Sequence, residues 1–198
     1  MPRILMHPNV GVRAAAAVGL TLLLLGVVWA ASHLVLRPGA VRVGWGASLA
    51  RRSAASAAVQ ILAFNLLLGA GGIILLNQWR DARGLAIGYY VHLLRSSLLH
   101  GLLRGTNSFT FPYPSPAAGF RGFLAVGLWE TVGLSLVCAS TALLAKYSTR
   151  SALGVSGFLA FLRRPAAYLR GGEAALLLGG LVLLALAAVA EALNIARQ

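Results

Sequence analysis

The stretch LAIGYYVHLLRSSLLHGLL, residues 85–103, decides how this chain is built. It carries His92, Arg95 and His100, so hydropathy alone would make it a surface helix. Its spacing says otherwise. Gly84, Gly88, His92, Ser96 and His100 recur every fourth residue and share one helical stripe, with Arg95 on its border. The opposite face is Leu, Ile and Val. A helix that packs one side in a bundle and turns the other to lipid has this pattern. If residues 85–103 span a membrane, the chain has five spans and its ends lie on opposite sides. If they do not, it has four and the ends lie together.

The sequence on either side supplies the other spans. A bilayer core is about 30 Å thick, and a helix needs roughly 20 apolar residues to cross it. Runs of that kind lie at 14–36, 53–76, 123–147 and 174–193. Arg3 and Arg13 precede the first run, which is too long for a signal-peptide core and lacks a small-x-small cleavage site after it. We therefore expect an uncleaved span. Composition agrees: of 198 residues, 59% are hydrophobic and 11% charged, against roughly 25% charged in soluble domains. Mean hydropathy is +0.80. The expected fold is all-α, a single polytopic transmembrane bundle of about five helices over residues 1–198.

The connections fit an interfacial reading. Residues 37–52 collect arginines around Pro38, glycines and Trp45. Residues 104–122 hold Pro112, Pro114 and Pro116 among aromatic residues, which excludes a regular helix there and suits the headgroup region. Residues 148–172 mix Arg150, Arg163, Arg164 and Arg170 with Leu, Phe and Tyr, as an amphipathic segment lying on the membrane does. Asp81, between Arg80 and Arg83, reads as a solvated turn residue. The net charge of +13 belongs to residues that flank spans and meet anionic headgroups. No basic stripe interleaved with aromatics indicates nucleic acid. With five spans, nine basic residues fall on the side of the N-terminus and seven on the other. That margin and the arginine-poor Pro/aromatic loop place the N-terminus inside a multi-pass protein of the cell membrane.

Catalytic motifs are missing. There is no histidine pair at metal-protease spacing, no phosphate-cradling glycine loop with its lysine, and no Gly-x-Ser-x-Gly turn. His92 and His100 have no carboxylate at ligand spacing, and Cys138, the one cysteine, lies in an apolar run as a small packing residue. We expect no enzyme, no metal and no cofactor. Glu130 is the sharpest single signal, because a charge near the bilayer centre costs roughly 2.5–3.5 kcal/mol on insertion scales. In an antiparallel five-span bundle Arg95, His100, Glu130 and Glu191 share one half of the membrane, with His33 and Gln60. Arg95 and Glu130 come to similar depth and should pair. Partners expected from sequence are membrane lipids and other proteins, or a second copy through the glycine-rich spans. Gly84/Gly88 and Gly101/Gly105 are small-xxx-small pairs.

Gly127-Leu128-Trp129-Glu130 resembles the His-Gly-x-x-Glu box of the stage II sporulation protein M family, with Val126 in the place of the histidine. The glycine-rich second span from Phe64-Asn65 to Leu76-Asn77, and the Ala-rich last helix with Glu191, are similar to that family as well. The resemblance covers roughly residues 55–195. It implies a small polytopic membrane scaffold, as the sporulation member assembles a peptidoglycan-degrading complex. It marks Asn77, Gly127, Glu130 and Glu191 as family-type positions with no reaction attached. A transport or ion-conducting subunit using Glu130 and Arg95 is the alternative.

Cysteine labelling at the two ends of the chain in sealed vesicles tests the five-span reading. We expect the ends to label from opposite sides. Labelling of both from one side would remove residues 85–103 from the set of spans.

Overall fold

The computed structural model describes residues 2–41, 52–109, 112–148, 162–163 and 168–196. Most of the interfacial reading of 148–172, and residues 42–51 of the first connection, lie outside the described residues.

A short helix, α1 (Pro2–Leu5), leads into α2 (Val10–Val35). After it come α3 (Ala54–Leu76), α4 (87–105), α5 (Pro116–Leu144) and α6 (Gly171–Ala196). Four of these, α2, α3, α5 and α6, are long and apolar enough to cross a membrane. Helix α4 forms where the stripe predicted one, but its polar residues keep it below that standard.

The start of α5 differs from expectation. The apolar run begins at Phe123, yet the helix begins at Pro116. Proline is tolerated there because a first-turn N–H has no intrahelical acceptor to lose. Ser115 caps the end by accepting a hydrogen bond from the Ala118 amide at 3.2 Å. The earlier start moves Glu130 inward, to roughly 21 Å along a 29-residue helix, close to its midpoint.

Helix α5 is the centre of the bundle. In its most apolar window 56% of residues are buried, against 22–28% for α2, α3 and α6. It packs on α6, on α2 and on the hairpin end of α3 and α4, while α3 also lies along α6 and α4 along α2. The main core joins Leu134, Val137, Cys138 and Ala142 of α5 to Ala17, Ile73, Tyr89 and Leu184. A second cluster, Ala57 and Ile61 with Ala188 and Ala192, closes α3 on α6.

Glycines set how near the helices come. A β-carbon on Gly133 would lie 2.9 Å from the Gly180 carbonyl oxygen, and one on Gly180 would lie 2.8 Å from that of Gly133. The α5–α6 crossing is thus backbone against backbone. Gly101 and Gly105 do the same for α4 on α2: a β-carbon at 101 would sit 3.0 Å from the Leu25 carbonyl oxygen, and one at 105 would overlap the Ser32 hydroxyl.

At the end holding the N-terminus, the C-terminus of α5 is buried and tightens to a 3-10 turn over Ala142–Leu144. The carbonyls of a helix end need outside donors, and side chains from other segments bring them. Asn77 Nδ2 donates to the Cys138 carbonyl at 3.0 Å and to Thr141 Oγ1 at 2.8 Å. Arg13 Nε donates to the Ala139 carbonyl at 3.0 Å. Arg80 Nη2 reaches the Ala142 carbonyl at 3.4 Å. Arg13 is fully buried. Its Nη1 donates to the carbonyls of His7 and Pro8, and its Nη2 pairs with Glu173 Oε1 at 2.6 Å. Glu173 Oε2 then accepts from the Arg170 amide at 2.9 Å. One guanidinium thereby ties the starts of α2 and α6 to the end of α5.

The loops at this end are ordered by the same means. Asp81 is buried rather than solvated, which corrects the sequence reading. Its Oδ1 accepts from the amides of Arg83 and Leu85, and its Oδ2 from the Tyr90 hydroxyl at 2.6 Å. Three two-residue strands join the loops: β1 (Trp79–Arg80) runs parallel to β2 (Tyr147–Ser148), which runs antiparallel to β3 (Leu162–Arg163). Segments this short carry no alternation to read from sequence.

Candidate functional site: a charged gap between helices

The two halves of α4 do different work. Its first half, Ile87–Leu93, packs on Gly72–Leu76 of α3 and on α5. Its second half leans on α2, where Ser32 Oγ donates to the Gly101 carbonyl at 3.3 Å and Ser97 Oγ to that of Thr21 at 3.4 Å. Away from the hairpin end, the space between α4 and its neighbours α3 and α5 is crossed by two long side chains, Arg95 and Arg104.

Arg95 reaches α5, where its Nη2 meets Glu130 Oε1 at 3.2 Å. Its Nη1 passes over α3 at Gly69, 3.0 Å from where a β-carbon would stand. Arg104 lies against Gly127: its Nη2 fills the space a β-carbon there would need. The Arg104 guanidinium also stacks 4.8 Å from the centre of the Phe123 ring and 5.5 Å from that of Phe109, a favourable cation–π geometry. Glu191 of α6 and His100 of α4 complete the group. The charge of Glu130 acts on His100, Arg104 and Glu191, and those of Arg95 and Arg104 act on His100. Two arginines and two glutamates thus belong to one group, two guanidinium groups against two carboxyl groups.

Two further features mark the place. Arg95 Nη1 and Arg104 Nε are buried and have no hydrogen-bond partner. Buried donors are normally satisfied, and exceptions call for an explanation. Each of three helices also widens into a π-helical segment here: Asn65–Gly71 holds Gly69, Leu94–Leu99 holds Arg95, and Phe123–Gly127 ends on the glycine beneath Arg104. Such segments recur at functional sites.

The π segment in α4 also revises the stripe. A wider turn adds a residue and rotates the rest of the helix beyond it. Gly88, His92 and Ser96 are buried as predicted, but Ser97 inside the segment is buried as well, and beyond it the buried positions are Gly101, Leu103 and Gly105. His100 is thereby turned off the packed face toward the gap.

His92 belongs to a separate, closed network. Thr21 Oγ1 donates to the Ala17 carbonyl and Ser135 Oγ to that of Thr131. Each hydroxyl has one proton, so toward His92 both can only accept. They lie 3.2 and 2.8 Å from Nε2, which must then carry the ring proton. Nδ1 is left to accept from Ser96 Oγ at 3.2 Å. This is a polar lock joining α2, α4 and α5.

Of the sequence-predicted group, Arg95 and Glu130 meet directly, and His100 and Glu191 lie within reach of the Glu130 charge. His33 stands at the end of α2, its ring nitrogen 3.4 Å from the Gly105 carbonyl oxygen. Arg104, read from sequence as a loop cation, is the member that reasoning missed. It lies four residues beyond His100, a spacing that puts those two on one helical face. Of the family-type positions, Gly127, Glu130 and Glu191 are in the gap, and Asn77 is in the cap on α5. Among the described residues, no group of three or more His, Cys, Asp or Glu side chains is placed to hold a metal. No family model, no curated protein and no solved structure matches the chain.

A double-mutant cycle tests the Arg95–Glu130 contact. We expect Glu130→Gln and Arg95→Leu each to lower stability in detergent, because each leaves a charge without its counterpart. The double variant should recover about 0.5–3 kcal/mol relative to additivity. Purely additive effects would show that the two side chains do not meet.

Proposed function

We propose that this chain is a non-enzymatic scaffold or complex subunit of the cell membrane, with α4 as a fifth span and its N-terminus inside. The observation that carries this reading is how the interior polar groups are used. Arg13, Glu173, Asn77 and His92 are all engaged in bonds that hold one helix to another. Static ties of this kind suit a protein that presents surfaces more than one that cycles through states. Gly19 and Gly26 on α2 have no atom near the place of a β-carbon. They leave room for a partner helix, or for a second copy, to approach closely. The resemblance to the stage II sporulation protein M family points the same way.

Transport or ion conduction is the second reading. It is favoured by the gap, where the side chains of Arg95 and Glu130 keep 28% and 12% of their surface accessible and intramembrane ionisable groups often line pathways.

Liposomes separate the two. With the scaffold reading, purified wild-type protein carries no proton or cation flux, and Glu130→Gln still assembles with whatever co-purifies with the wild type. Flux through the wild type that vanishes in Glu130→Gln would replace the scaffold reading with the transport one.

A further inference from the structure

We infer that the gap between α4 and the α3, α5 and α6 group is a binding site for a zwitterionic phospholipid headgroup, one that pairs a phosphate with an ammonium still bearing N–H. Four observations converge on that chemistry. First, the unpartnered donors at the site, Arg95 Nη1 and Arg104 Nε, are both on guanidinium groups. Guanidinium matches phosphate oxygens in charge and in the spread of its N–H groups. Second, the opposite wall carries Glu130 and Glu191, whose charges act on each other and on Arg104. They are acceptors suited to an ammonium. Third, the side chains are formally balanced, two guanidinium groups against two carboxyl groups. In a medium of low dielectric an added net charge is costly, so a ligand of zero net charge fits and a simple anion does not. Fourth, the surface beside the pair is apolar. Leu94 and Leu98 of α4, Leu68 of α3 and Trp129 beside Glu130 are all exposed large apolar residues around the pair. Acyl chains would lie along that surface while the headgroup reaches inward.

The helix geometry serves the same end. Gly69 and Gly127 have no side chain where Arg95 and Arg104 lie across them, and the π segments hold Gly69, Arg95 and Gly127 in local backbone that a regular helix would not provide. Headgroup binding here does not depend on partner assembly, so it holds or fails apart from the scaffold reading.

The experiment uses the full chain in nanodiscs of phosphatidylcholine doped with phosphatidylethanolamine or phosphatidylglycerol. Lipid retained after gentle transfer to detergent is counted by mass spectrometry. We expect phosphatidylethanolamine to be retained above its share of the disc. Retention should fall on the order of tenfold in Arg104→Gln, the loss expected for a charge-assisted hydrogen bond. Arg104 makes no ion pair within 4.0 Å among the described residues, so this variant keeps the Arg95–Glu130 contact; a melting curve in detergent checks that it folds. Glu191→Gln is the second variant and should also reduce retention. Soluble glycerophosphoethanolamine should compete poorly, because it lacks acyl chains. The inference is overturned if retained lipid mirrors the bulk composition, if phosphatidylglycerol is preferred, if glycerophosphoethanolamine competes as well as the lipid, or if folded Arg104→Gln and Glu191→Gln retain as much as the wild type.

Discussion

The structure depends on one constraint: the C-terminal end of α5 is buried, so its carbonyls must find donors inside the protein. A span that ends in water or headgroups has its last carbonyls hydrated. Here Cys138, Ala139 and Ala142 lie at the centre of the bundle, and Asn77, Arg13 and Arg80 reach them from three different places in the chain. Thr141 and Ser140 add to this by donating to the Val137 carbonyl. Each donor also fixes the segment that carries it. Arg13 sets the start of α2, Glu173 is drawn to it and sets the start of α6, and Asn77 sets the turn between α3 and α4. Gly88 makes room for that turn, since a β-carbon there would collide with the Asn77 side chain.

The two ends of the bundle therefore contrast. Toward the N-terminal end, Arg13, Glu173 and Asp81 are engaged, with Asn77 Oδ1 and Gln78 Oε1 the buried acceptors left over, and helices meet through glycine and alanine. Away from it, α4 stays close to α2 through Gly101 and Gly105 and stands off from α5. The space is bridged by Arg95 and Arg104, with donors left over. A protein this apolar would gain nothing in stability from unpaired guanidinium N–H groups, since a buried unsatisfied donor costs about 1–3 kcal/mol. Their survival beside three π segments is the reason the gap, rather than the better satisfied network around Arg13, is the functional candidate.

Much of this was legible in the sequence. The long apolar runs marked α2, α3, α5 and α6, and a four-residue spacing of small and polar residues marked α4 despite its arginine. Alternation of direction was the basis for expecting Arg95 and Glu130 to pair, and the two side chains do meet. What escaped has physical reasons. Arg13 and Glu173 each stand at the border of an apolar run, where a flanking charge is the ordinary expectation, and 160 residues separate them. Asp81 looked solvated because its partners are two backbone amides and a tyrosine hydroxyl, none of which shows as a charge pattern. The π segment in α4 shifted the buried stripe by one residue, and no residue type announces such a widening. Pro116 hid the true start of α5 because proline reads as a breaker until its position in the first turn is known.

Hydrogen exchange over residues 137–144 in nanodiscs, compared between wild type and Arg13→Gln, tests the buried end of α5 most directly. Breaking a buried ion pair costs about 3–5 kcal/mol, and opening of this end is governed by the donors that cap it. In the wild type these amides should exchange as slowly as those of residues 128–136, and in the variant they should speed up by at least about a hundredfold. Exchange in the wild type as fast as at a fraying helix end, or no change on removing Arg13, would contradict the account.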